Sequence, residues 1–304
     1  MRAALAALGT LYAVLGTPAA DPPTHVVIRG ATVHDGTGKP GFTADVHLKG
    51  DRVVAVGTVP DVPGATAIDA AGLVVCPGFI DLHTHCDREL ADPSGKVNKN
   101  YTTQGCTTVV TGNCGSGPVA VGKWFAKLEA NGVGTNVIHL APHNAIRQQV
   151  MGNADRPPTA AEQAAMEALV DAAMTDGAWG LATGLIYNPG TYARTDEIVG
   201  LASAAAKHGG LYASHIRDEG TGLLTALEEA LTIGREAGCR VHVSHLKASG
   251  KAAWGKSADA VALIEAARAK GQAVTADQYP YTASSTSLRA TVVPARWRTG
   301  TEKE

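Results

Sequence analysis

From residue 79 to residue 277 the sequence repeats one pattern: a short apolar run, a loop, then an alanine-rich stretch of helical length. The apolar runs fall at 79–83, 107–111, 136–140, 179–183, 211–214, 240–244 and 273–277. The helical stretches fall at 118–130, 160–176, 194–208, 223–237 and 257–270, with a weaker one near 96–104. Strands that alternate with helices in this way imply parallel βαβ units. No dinucleotide fingerprint opens the series, which favours a TIM-type (β/α)8 barrel over a doubly wound sheet. Seven strands are one short of closure. The expectation is therefore an incomplete barrel with a seam between its first and last strands, whose unpaired edges invite self-association.

Ahead of the barrel the texture differs. Val26-Val27-Ile28, Ala44 to Leu48, Val53 to Gly57, Thr66 to Ile68 and Gly72 to Val75 read as short strands separated by turns such as Asp35-Gly36 and Gly50-Asp51. They predict a small N-terminal β-sandwich domain over 21–76, with the barrel occupying 77–304. Residues 1–20 carry one charge, an apolar stretch and then Thr17-Pro18-Ala19-Ala20, which reads as a signal peptide and predicts export to the periplasm or outside the cell. A mis-assigned start would instead leave the protein cytoplasmic. No later stretch is long and apolar enough for a membrane span. The net charge of −2 and the lack of a basic tract argue against nucleic acid as a partner. Five scattered cysteines do not make a disulfide framework.

In a barrel of this kind the chemistry sits at the C-terminal ends of the strands. The first run ends in His83 and His85, and alternation along a strand would point both imidazoles the same way. The second is followed by Gly112-Asn113-Cys114-Gly115. The fifth ends in Ser214-His215-Ile216-Arg217, the sixth in Ser244-His245-Leu246-Lys247, and the seventh in Asp277-Gln278-Tyr279-Pro280-Tyr281. Four histidines and a cysteine at successive strand ends are the donors a divalent metal needs. Two other signals are weaker. Gly250 to Ser257 fits the P-loop pattern, but five residues separate it from the preceding strand, and too little chain follows to complete a nucleotide-binding sheet. Cys114 as a nucleophile with a histidine base would leave His83 and His85 unexplained.

With these residues in view, the chain resembles the amidohydrolase superfamily through Pro77-Gly78-Phe79-Ile80-Asp81-Leu82-His83-Thr84-His85 and the single histidines ending strands five and six. Within it the chain is similar to the N-acyl-D-amino-acid deacylases, or D-aminoacylases. That similarity rests on Gly112 to Gly115, Gly184-Leu185-Ile186-Tyr187-Asn188-Pro189-Gly190, Ser214 to Arg217 and Asp277 to Tyr281. The resemblance implies zinc-dependent hydrolysis of N-acyl-D-amino acids to a carboxylate and a free D-amino acid. It implies that Cys114, His215 and His245 hold a tight Zn2+, and that His83 and His85 line a second, weaker metal position. A thiolate with two imidazoles suits zinc in a site that keeps a position for water. The substrate's α-carboxylate calls for Arg289, Tyr281, Lys247 or Arg217, in that order. Tyr187 could polarise the carbonyl oxygen. The superfamily's proton-shuttling aspartate on strand eight has no counterpart, and Asp277 lies one strand early. The sequence therefore reads as a truncated deacylase of weak or absent activity, the alternative being an inactive metal-binding fragment.

Overall fold

The computed structural model describes residues 24–293 and Trp297, so the leader expected at 1–20 lies outside the described residues. The chain divides into two compact units, Met1–Pro77 and Gly78–Glu304.

In the first unit, β1 (His25–Val33), β2 (Phe42–Lys49), β3 (Arg52–Gly57), β4 (Thr66–Asp69) and β5 (Val74–Val75) form one five-stranded mixed sheet. β2 pairs antiparallel with β1 and β3, while β4 and β5 run parallel to β1. Period-two alternation sorts the side chains: Ala31 and Val33 of β1 and Ala44 and Val46 of β2 join Ala70 in a buried cluster. On other surfaces of the sheet Val53, Val54, Val56 and Ile68 are exposed. Among the described residues this unit holds a single sheet, where the sequence led to the expectation of a sandwich.

The second unit begins with β6 (Phe79–Asp81), α1 (Asp87–Leu90), α2 (Lys99–Thr102), β7 (Cys106–Thr111), α3 (Val121–Asn131), β8 (Asn136–His139) and β9 (Ala141–Pro142). It continues with α4 (His143–Met151), α5 (Ala160–Thr175), β10 (Gly180–Gly184), α6 (Thr195–Ala206), β11 (Leu211–His215) and α7 (Leu223–Ala237). β12 (Val241–Val243), α8 (Ser257–Ala269), β13 (Val274–Ala276) and α9 (Leu288–Val292) complete it. All pairings are parallel. β6, β7 and β8 form one sheet and β9 to β13 another, and the third predicted strand is shared between them, broken at Leu140. Together these are the seven strands of an incomplete (β/α)8 barrel. Among the described residues β6 pairs only with β7, and β13 only with β12, and Phe79, Ile80 and Leu82 are exposed.

The pleat decides which residues reach the site. Leu181 and Tyr212 pack among helix residues such as Ile198, Leu201 and Leu227, whereas their neighbours Ala182 and Ala213 join Val110 and Leu140 in a separate cluster. His215 follows Ala213 by two positions and so shares its side of the sheet. α5 is fixed at its start by a capping box, in which Thr159 and Glu162 each accept from the other's backbone N–H.

Candidate metal centre

Three predicted histidines converge on one predicted sulfur. Cys114 Sγ lies 3.4 Å from His215 Nδ1, 3.5 Å from His83 Nε2 and 3.8 Å from His245 Nε2. Two sets of donors are close enough to hold a cation: His83 with Cys114 and His245, and His215 with Glu219 and His245. His85 belongs to neither set. Its ring stands 5.3 Å from that of His83, and both line the same cleft. Simple strand alternation does not set this pair, because β6 ends at Asp81 and the histidines lie in the bend beyond it, where Asp81 accepts from the His83 backbone N–H at 3.1 Å.

Two of the converging residues have unusual backbones. Cys114 sits at φ 53° and His245 at φ 37°, in the region that non-glycine residues rarely enter. Alternation would place His245 with Val241 and Val243, which pack among the helices, but β12 ends at Val243 and the positive φ turns the ring toward Cys114. The Cys114 turn depends on its glycines. A Cβ on Gly112 would come within 2.1 Å of the Leu140 carbonyl oxygen, and one on Gly115 within 2.2 Å of Asn144 Oδ1.

The electrostatics suit a cation. Burial pushes the Cys114 thiol up to about 12, and the charges of Glu219 and Asp277 add to the effect. Burial, reinforced by His245, takes His215 down to about 3, so its imidazole is neutral. Burial also lowers His85, with His83 and His245 acting in the same direction. Burial works against ionisation of Glu219, but the hydrogen bond from His245 and the neighbouring His215 and Lys247 outweigh it and bring the group down to about 2. Imidazoles around a sulfur, with carboxylates behind them, fit a borderline-soft divalent ion such as zinc, whose charge would convert the thiol to thiolate.

The cleft over this cluster has a volume of about 1320 Å³ and is also lined by Tyr187, Lys247, Tyr279 and Tyr281. The Tyr187 ring meets that of His215 edge-on at 4.9 Å, and its hydroxyl lies 2.8 Å from Thr286 Oγ1. Lys247 Nζ donates to Glu219 Oε1 at 2.5 Å and sits 5.6 Å from the centre of the Tyr279 ring. Tyr281 is largely exposed and stacks on Tyr279. The remaining two candidates for the substrate carboxylate are placed elsewhere. Arg217 donates to both oxygens of Glu229 at 2.9 Å and to the carbonyls of Thr191 and Ala193, and it does not line the cleft. Arg289 lies on α9, also outside the lining.

Residues 66–297 match the model of the amidohydrolase family. The chain belongs to the amidohydrolase family. A D-aminoacylase of Alcaligenes xylosoxydans xylosoxydans is 39% identical over 290 residues, covering 88% of this chain and 59% of that protein. The N-acyl-D-glutamate deacylase of Bordetella bronchiseptica, solved with zinc and a phosphonate inhibitor that mimics the tetrahedral intermediate, aligns with a TM-score of 0.81 at 38% identity. That alignment covers 86% of this chain and 59% of the other. A D-aminoacylase structure addressing the functional role of a binuclear metal centre has a TM-score of 0.79 at 40% identity, covering 85% of this chain and 59% of that one. This amidohydrolase thus spans 59% of the length of each of these relatives.

Sequence reading missed Glu219 and His242. Glu219 lies four residues beyond His215 in an irregular loop, so no periodicity marks it, and only the fold brings its Oε1 within 2.7 Å of His245 Nδ1. His242 is within β12, two residues from Ser244, and meets Asp277 Oδ2 through Nε2 at 2.8 Å.

Proposed function

We propose that this amidohydrolase binds zinc through Cys114, His215 and His245, with His83 and His85 lining a second, weaker position, and hydrolyses the amide bond of N-acyl-D-amino acids. The observation that carries this reading is the convergence of His83, His215 and His245 on Cys114 Sγ at 3.4–3.8 Å, beneath a cleft that also holds Lys247. The similarity to D-aminoacylase supports the substrate class. Bound zinc would supply an activated water and a polarised carbonyl. The chain's own residues do the rest. Lys247 is the cleft cation for the substrate's α-carboxylate, with Tyr281 beside Tyr279 at the exposed side. Tyr187, edge-on to His215, presents a hydroxyl for the carbonyl oxygen.

Proton delivery to the leaving nitrogen is the weak link. Asp277 and Glu219 line the cleft, but each already accepts hydrogen bonds from imidazole. Among the described residues no eighth strand offers another carboxylate. A positioned acid–base group contributes about 10²–10⁴-fold, so the 304-residue chain is expected to turn over slowly. A nucleophilic role for Cys114 is disfavoured because burial drives its thiol up to about 12, the opposite of what a reactive cysteine needs.

The test is hydrolysis of N-acetyl-D- and N-acetyl-L-amino acids by zinc-loaded and chelator-treated protein. Slow release of D-amino acids, lost on chelation and in Cys114→Ser, is expected. Faster turnover of the L-enantiomers, or undiminished activity in metal-free protein, would overturn the proposal.

A further inference from the structure

Two carboxylates stand behind the nitrogens that face Cys114. Asp277 Oδ2 lies 3.2 Å from His83 Nδ1 and 2.8 Å from His242 Nε2, while its Oδ1 accepts from the His245 backbone N–H at 2.5 Å. Glu219 Oε1 lies 2.7 Å from His245 Nδ1. An ionised carboxylate only accepts hydrogen bonds, so the hydrogen in each contact belongs to the imidazole. A neutral imidazole with its hydrogen on Nδ1 keeps its lone pair on Nε2. In both His83 and His245, Nε2 is the atom that faces Cys114 Sγ.

We infer that Asp277 and Glu219 are positioning residues: Asp277 fixes the tautomer and orientation of His83, and Glu219 those of His245, so that both present Nε2 to a metal at Cys114. The inference rests on the reading of this cluster as a metal centre. Asp277 does a second thing. It follows β13, and His83 follows β6, so their contact bridges the ends of the last and first strands, which belong to different sheets.

Lys247 competes for the same nitrogen, since its Nζ is 3.0 Å from His245 Nδ1. Glu219 Oε1 is nearer to both, at 2.5 Å from Lys247 and 2.7 Å from His245, and can accept from each. His215 is the internal contrast. It faces the sulfur with Nδ1, and its buried Nε2 has no hydrogen-bond partner. It should therefore carry its hydrogen on Nε2, opposite to the other two.

The decisive measurement is the long-range proton–nitrogen spectrum of ¹⁵N-labelled, metal-free protein. His83 and His245 are expected as Nδ1–H imidazoles and His215 as Nε2–H. Asp277→Asn and Glu219→Gln are each expected to mix the tautomers of the dependent histidine and to weaken zinc binding, by chelator competition, by about 10- to 100-fold. Wild-type His83 or His245 found as Nε2–H would overturn the inference, as would variants that bind zinc within about twofold of wild type. Should a variant fail to fold, the wild-type spectrum alone decides. A chain with these tautomers that hydrolyses no N-acyl-D-amino acid would refute the proposed activity and leave this inference standing.

Discussion

Asn144 pairs with Gly184 as a strand would. Its Oδ1 accepts from the Gly184 N–H at 3.1 Å, and its Nδ2 donates to the Gly184 carbonyl at 2.9 Å. The same Nδ2 is 3.3 Å from the Tyr187 carbonyl, and Asn144 Oδ1 is the atom that a Cβ at Gly115 would strike. One buried amide thus joins the end of β10 to the Tyr187 loop and abuts the Cys114 turn. Asn144→Ala would leave a buried donor and acceptor unmatched, at about 1–3 kcal/mol each. Chemical denaturation should show a loss of at least the lower figure. Unchanged stability would mean that water replaces the amide without cost.

Gly115→Ala tests the turn from the other side. The added methyl meets Asn144 Oδ1 at 2.2 Å on a backbone with φ of 70°. Cys114 should move away from the imidazoles, so zinc retained after dialysis is expected to fall well below wild type while circular dichroism stays native. Full zinc occupancy would show that the Cys114 backbone does not control the centre.

Asp87 gives the protein a pH dependence. Its carboxyl accepts from the Gly112 N–H at 3.0 Å, yet burial raises it from 3.8 to about 6. His139 Nδ1 is only 3.6 Å away, a spacing that invites an ion pair, but burial holds that imidazole down to about 4 and it stays neutral. A carboxyl whose pKa is raised by folding binds its proton more tightly in the folded state. Stability therefore falls as pH rises from about 4 to about 6, and the penalty is complete above that range, on the order of 3 kcal/mol. Asp87→Asn keeps an acceptor for Gly112 and removes the charge. It should stabilise the protein near neutral pH and make little difference near pH 4. Equal effects at the two pH values would contradict the assignment.

The edge of β6 bears on solution behaviour. Phe79 and Ile80 are more than half exposed, on a strand that pairs on one side among the described residues. Light scattering is expected to show concentration-dependent self-association, reduced by Ile80→Lys, since a charge discourages edge-to-edge pairing. A wild-type chain that stays monomeric at high concentration would count against it.

Much of this fold could be read from residue order because its strands and long helices carry strong periodic signals. α4 could not. Its His143, Asn144 and Arg147 are polar yet buried, so they erase the apolar stripe that marks a helix. Glu197, from a helix fifty residues on, satisfies His143 through Nε2 at 3.1 Å and Arg147 through Nε at 3.0 Å, while Asn144 bonds the backbone of Gly184. Cys114 was legible because glycines flank it and histidines end later strands. Arg217 misled for a similar reason: it follows a strand-end histidine, but Glu229 in the first half of α7 captures it.

The central claim is that Cys114 and the strand-end histidines form one metal centre, and X-ray absorption at the zinc edge tests it most directly. With one equivalent of zinc, the spectrum is predicted to show a single sulfur at about 2.3 Å with nitrogen ligands at about 2.0–2.1 Å, the sulfur shell disappearing in Cys114→Ser. A wild-type spectrum with nitrogen and oxygen ligands alone would contradict the account.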